Sequence, residues 1–163
     1  MKYLGSLYTM KYLGSLYKCI SAILMAALLL MLFNACDGFQ VSDNGNLDGM
    51  WHLVEVDSLD NNVSADFTYS GIYWSVQSDL LALDDKLFRY ESCLMRFSCK
   101  DSRLRLFDPY LNNRDEGDIP ISDVAKLSPF GINALDEAFA VETLTRKKMV
   151  LKSQSLRLTF KKN

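Results

Sequence analysis

From Leu47 onward, apolar and polar positions alternate with period two in short runs rich in aromatic and branched residues, with small polar clusters between them. That is the pattern of half-buried strands, and no eleven-residue stretch carries a helical period instead. Gly49 to Asp57 reads as a first strand and Ser58 to Thr68 as a polar loop. Tyr69 to Asp84 reads as one long strand bent at Ser78 and Asp79, or as two strands in succession, extended in either case. Next, Cys93, Met95, Phe97 and Cys99 share one face while Arg96 and Ser98 share the other. Lys100-Asp101-Ser102 then turns the chain, and Arg103 to Phe107 alternates back as the second arm of a hairpin. Phe139 to Leu144, Lys148 to Lys152 and Leu156 to Lys161 form a closing meander, with Leu156, Leu158 and Phe160 on one face.

Between Asp108 and Ala138 the alternation lapses into a connection holding Pro109, Pro120 and Pro129. Ser122 is placed to cap a short helix through Leu127 that Ser128-Pro129 ends, and Asn133 to cap a single turn with Asp136 three residues on. This segment is expected to plug or cover one end of the sheet. Eight strands of about six residues with turns of about four need roughly 80 residues, and Leu47 to Asn163 accommodates them with two long connections to spare. Closure removes the edge strands that would otherwise pair with neighbours. The expected fold is therefore all-β, an up-and-down antiparallel barrel of about eight strands with one short helical segment.

Composition changes the picture at the N-terminus. Met1 to Cys36 contains no acidic residue, and all twenty Asp and Glu follow it. Met1 to Tyr8 (MKYLGSLY) recurs as Met10 to Tyr17, and a start at Met10 brings the leader into the usual secretory length, so Met10 is the expected start. The apolar run from Cys19 to Phe33, broken only by Ser21, spans about 22 Å as a helix against a hydrocarbon core of about 30 Å. A signal peptide helix is expected there rather than a permanent span. Leu32-Phe33-Asn34-Ala35-Cys36 resembles the lipobox of bacterial lipoproteins. The resemblance implies cleavage before Cys36 and lipid attachment to its thiol, with residues 1–35 as signal, 36–46 as a lipid-anchored tether and 47–163 as the barrel domain. Lipoprotein-type anchoring uses at least two acyl chains, which hold a protein stably to a membrane. The chain is thus placed in the bacterial cell envelope, with the leaflet left open. Beyond Cys36, fifteen basic residues face twenty acidic ones, a formal charge of −5, which disfavours nucleic acid as a partner.

Gly49-Met50-Trp51 looks like the G-x-W that opens the first lipocalin strand. Ser128 to Asn133, Phe139 to Leu144, Met149 to Lys152 and Leu156 to Lys162 resemble the closing part of the lipocalin-like families of small bacterial lipoproteins. The resemblance implies a barrel whose interior can hold an apolar small molecule. It also implies an arginine near the last strand packed on the G-x-W tryptophan, for which Arg157 is the candidate.

Alternation makes Trp51, Trp74, Phe97, Leu106, Phe139, Leu151 and Phe160 the candidate barrel-facing, ligand-binding residues; their plainer role is to fill the core. The single histidine, His52, is too little for a metal site. The pairs Asp84-Asp85, Asp115-Glu116 and Asp136-Glu137 fall in turns or caps, where adjacent carboxylates diverge. Cys93 and Cys99 lie too far apart along one strand to bridge. No nucleophile with its base and no phosphate loop is visible, so neither an enzyme nor a cofactor is expected. Two readings lead: a lipid-anchored barrel carrying a small hydrophobic ligand, and a protein-interaction module, such as an inhibitor or accessory subunit of an envelope complex, with a filled barrel. The first requires a lined cavity, the second a packed interior and an exposed apolar patch.

Overall fold

Residues 42–113, 115 and 117–163 are described by the structure, a computed structural model, and lie in the unit Val41–Asn163. The signal segment, Met10 and Cys36 are outside the described residues. The strands are β1 (Gly49–Ser58), β2 (Val63–Asp66), β3 (Ile72–Gln77), β4 (Leu80–Asp85), β5 (Cys93–Lys100), β6 (Arg103–Leu111), β7 (Ile119–Pro120), β8 (Glu137–Leu144), β9 (Lys148–Lys152) and β10 (Leu156–Lys162). Neighbours run β1-β3-β4-β5-β6-β8-β9-β10, and β10 returns to pair with β1 from Trp51↔Lys162 to Ser58↔Leu156. The result is a closed antiparallel eight-stranded barrel. The two short strands β2 and β7 add to β1 and β6 outside the ring.

Local chemistry explains the turns. Asp101 and Ser102 both take left-handed backbone, φ 51° and 55°, as a two-residue turn between strongly twisted strands requires. Ser78 does the same at φ 55°, so Ser78-Asp79 reverses the chain and β3 pairs antiparallel with β4 from Ile72↔Asp85 to Gln77↔Leu80. The extended path expected across Ser78 and Asp79 is thus replaced by a hairpin. The expected loop Ser58 to Thr68 is also corrected. Its Val63–Asp66 is a strand against the second half of β1, exposed throughout and held by backbone pairing and by Ser64 Oγ donating to Glu55 Oε1 at 3.3 Å.

Register divides the barrel's two ends. One, the entry end, carries residues 42–48 and the β3–β4, β5–β6 and β8–β9 turns; the other, the loop end, carries the long β4–β5 and β6–β8 connections. The β6–β8 connection enters the core as expected, with Leu127, Phe130 and Ile132 fully buried. Each such side chain contributes about 1.5–3 kcal/mol by leaving water. Its local form differs from the expected helix: two 3₁₀ turns, Val124–Lys126 and Ser128–Phe130. Asp123, not Ser122, caps the first, accepting from the Ala125 N–H at 2.9 Å. Pro129, with no N–H, prevents α-helical continuation. No helical turn forms at Asn133; its N–H donates instead to Glu137 Oε2 at 2.6 Å.

Candidate functional site

The candidate residues converge inside the barrel. Trp51, Trp74, Leu106, Phe139, Leu151 and Phe160 are fully buried in a single apolar cluster, while Phe97 is half-buried at its margin toward the entry end. Trp51 and Trp74 are directly opposite on β1 and β3. Trp74 packs against Phe160 with ring centroids 4.8 Å apart and edge-on to Phe139 at 6.0 Å. Buried indoles need hydrogen-bond partners, and each finds one on a segment that closes an end. Trp51 Nε1 donates to the Leu47 carbonyl at 2.7 Å, and Trp74 Nε1 to the Phe130 carbonyl at 3.1 Å. The tryptophan pair thus ties both closures to the wall, and the plug's own side chains occupy the barrel axis.

The basic residue over the G-x-W tryptophan is Lys162, not Arg157. Lys162 Nζ lies 4.7 Å from the Trp51 ring centroid and donates to the Asn46 carbonyl at 2.9 Å. Gly49 makes room for it: at φ 113° a Cβ here would fall 2.8 Å from Lys162 Cε. Arg157 points outward, bonded to Glu142 at 2.7 Å with Asp57 at 3.8 Å. Alternation already carried this signal, because Lys162 has the parity of the inward Leu158 and Phe160.

At the loop end lies a group that the candidate list missed. Asp85, 5% exposed, closes β4 and organises the next turn. Its carboxylate accepts from the backbone N–H groups of Leu87 at 2.9 Å and Arg89 at 2.8 Å, and from Arg89 Nε at 2.9 Å. Arg89 also reaches the Ser70 carbonyl. Hydrogen bonding from the Arg89 side chain outweighs the opposing effect of burial and draws the Asp85 pKa down to about 2. This clamp holds Phe88 in left-handed backbone at φ 56°, unfavourable for a bulky L-residue, with the residue 91% exposed. Leu87 and Tyr90 are exposed beside it, as is Ile119 on β7 at the same end. A cleft of about 300 Å³ between Arg89–Cys93 and the plug residues Ala125, Lys126 and Pro129 adjoins them, bridged by Lys126 and Glu91 at 2.7 Å. A sequence signal existed: Leu87-Phe88 interrupts an otherwise charged and polar turn.

The remaining candidates have structural surroundings. His52 stacks on Tyr73, centroids 4.6 Å apart, and burial, with Lys161 nearby, lowers its pKa. Among the described residues no cluster of His, Cys, Asp or Glu is arranged to hold a metal ion. Cys93 and Cys99 are both unbridged, and burial pushes the Cys93 thiol up to about 11, where it stays protonated. Asp84 accepts from Ser92 while Asp85 takes Arg89; Asp136 takes Arg105 while Glu137 takes the Asn133 N–H. The carboxylates of these two pairs therefore have separate partners, while Glu116 of the third lies outside the described residues. Among the described residues no helix is long and apolar enough to cross a membrane.

Comparison with known proteins agrees with this architecture. A solved lipocalin-like protein from Bacteroides uniformis ATCC 8492 superposes with a TM-score of 0.56 at 18% identity, covering 73% of this chain and all of that one. An uncharacterized protein from Bacteroides eggerthii DSM 20697 is also similar, at TM-score 0.49 and 24% identity over 71% of this chain and 98% of its own. No curated protein matches the sequence. The family model for the lipocalin-like domain matches residues 29–163, and the chain belongs to that family.

Proposed function

We propose that this protein is a lipid-anchored recognition module of the bacterial cell envelope, held by acyl chains on Cys36 and engaging a partner protein through its loop end. The observation that carries the reading is the strained, clamped turn that presents Phe88 to solvent. Strain of this kind persists only where surrounding structure over-determines it, and it clusters at binding sites. An aromatic on a fixed backbone, flanked by other apolar groups, has the character of an interface anchor, since little backbone entropy remains to be lost on docking and phenylalanine has only two side-chain torsions to order. The packed interior supports the same reading, because it makes the barrel a scaffold.

A second reading, carriage of a small hydrophobic ligand, draws support from the lipocalin-like barrel. Here Leu127, Phe130 and Ile132 stand where such a ligand would sit, so uptake requires the plug to withdraw. Native mass spectrometry of the protein purified from its own envelope, alongside Phe88→Ala, separates the two. A co-purifying polypeptide present in the wild type and lost in the variant supports recognition. A co-purifying apolar small molecule retained by both, with no polypeptide, overturns it in favour of carriage.

A further inference from the structure

Cationic side chains are distributed unevenly over the barrel. Away from the entry end most are matched: Lys86 with Asp84, Arg89 with Asp85, Lys126 with Glu91, Arg105 with Asp136 and Arg157 with Glu142, while Arg96 and Lys152 stand singly, each without a carboxylate in ion-pair range among the described residues. On the β9–β10 face at the entry end, Arg146, Lys147, Lys148 and Lys161 are exposed, with Lys162 beside them, and among the described residues none lies within ion-pair distance of a carboxylate. Lys148 and Lys161 are directly opposite on neighbouring strands, and Lys162 N–H donates to the Lys147 carbonyl at 3.0 Å. Like charges placed directly across a ladder destabilise the fold. The four lysines line one side of an open cleft of about 800 Å³, with Glu55 and Asp66 on its other wall. Asp48, Asp79 and Asp101 also lie at this end, in the entry segment and the other turns.

The same end receives the N-terminal segment. Ser42 Oγ accepts from the Ser78 N–H at 2.7 Å and Asn44 Nδ2 donates to the Ser78 carbonyl at 2.8 Å, which fixes where the chain leaves the barrel. Six residue steps separate Ser42 from Cys36, a reach of at most about 20 Å. A lipid on Cys36 therefore keeps the entry end within a few Debye lengths of the bilayer.

We propose that the β9–β10 lysine face seats on the anionic headgroups of the membrane that holds the Cys36 lipid, turning the loop end and Phe88 away from the bilayer toward a partner. This rests on the anchored reading above. Each lysine close to an anionic surface strengthens such a contact about fivefold.

The test uses the full lipidated protein reconstituted in vesicles of phosphatidylcholine alone or with one-third phosphatidylglycerol, with lysine acetylation rates read by mass spectrometry. Lys148 and Lys161 are expected to react about fivefold more slowly on the anionic vesicles. High salt removes this protection, while Lys126 at the loop end is unaffected. In a Lys148→Glu, Lys161→Glu variant the protection of Lys147 is also lost. Equal rates on both vesicles, with the protein floating on each, overturn the proposal and leave anchoring intact; failure to float with neutral vesicles overturns anchoring itself. Equal protection by inorganic phosphate on neutral vesicles also overturns the proposal, assigning the lysines to a soluble anion.

Discussion

Replacing Phe130 by alanine tests whether the β6–β8 connection is part of the core or a detachable cover. The ring is fully buried, and the backbone carbonyl that accepts from Trp74 remains in the variant. The loss is therefore confined to the ring: its transfer from water and the cavity it leaves, together about 3–5 kcal/mol for a phenylalanine in a rigid core. Edge-on contact with Tyr90 at 6.2 Å adds little, since Tyr90 is half exposed. Against a total stability of about 5–15 kcal/mol for a domain of this size, that is a large fraction. Urea unfolding followed by tryptophan fluorescence is the assay. At an m-value of about 2 kcal/mol/M the midpoint falls by about 2 M. A loss under about 1 kcal/mol with an unchanged m-value would show that the segment opens independently of the barrel, and the plug argument would fail.

Other outcomes follow from the same contacts. Gly131 sits at φ 83° with a Cβ position 2.9 Å from Leu158 Cδ2, so Gly131→Ala lowers stability by about 2 kcal/mol in thermal or urea unfolding. Because the folded Asp85 pKa is depressed, its stabilising contribution is complete above its ordinary value of 3.8 and is lost as pH falls through about 2. Acid titration of wild type against Asp85→Asn therefore shows the curves converging between about pH 4 and 2, with a gap of about 2 kcal/mol at neutral pH. Lys162→Met keeps the apolar stem but removes the charge over Trp51 and the bond to Asn46, costing about 1 kcal/mol by urea titration; Lys162→Ala costs more.

The β5–β6 hairpin and the final meander were legible because each rests on period-two alternation with a recognisable turn, and closure because the chain has room for eight strands whose edges would otherwise stay unpaired. The β3–β4 reversal was not. Gln77-Ser78-Asp79 interrupts the alternation and switches its parity from Ile72, Trp74 and Val76 to Leu81 and Leu83, which a bend explains as well as a reversal, and no glycine or asparagine announces that Ser78 takes left-handed backbone. β2 escaped because all four of its residues are exposed, so it buries no face that alternation could mark. Leu127, Phe130 and Ile132 belong to irregular chain, where burial follows no period, so their depth is a tertiary fact. Parity placed the six buried candidates inside; the choice of Arg157 for the G-x-W tryptophan followed the family's residue type rather than parity, which sets Arg157 opposite Leu158 and Phe160. The turn at Phe88 depends on a buried carboxylate gathering four donors, which a linear reading of Asp84-Asp85 does not reveal.

The barrel is filled by its own chain, which is what the proposed recognition from its outer surface rests on. Titration of the wild-type protein with an apolar fluorophore, read by energy transfer from Trp51 and Trp74, tests this most directly. A filled barrel gives no saturable uptake in the wild type and one-to-one uptake once Phe130→Ala opens the interior. Saturable one-to-one binding to the wild type, with transfer from both tryptophans, would contradict it.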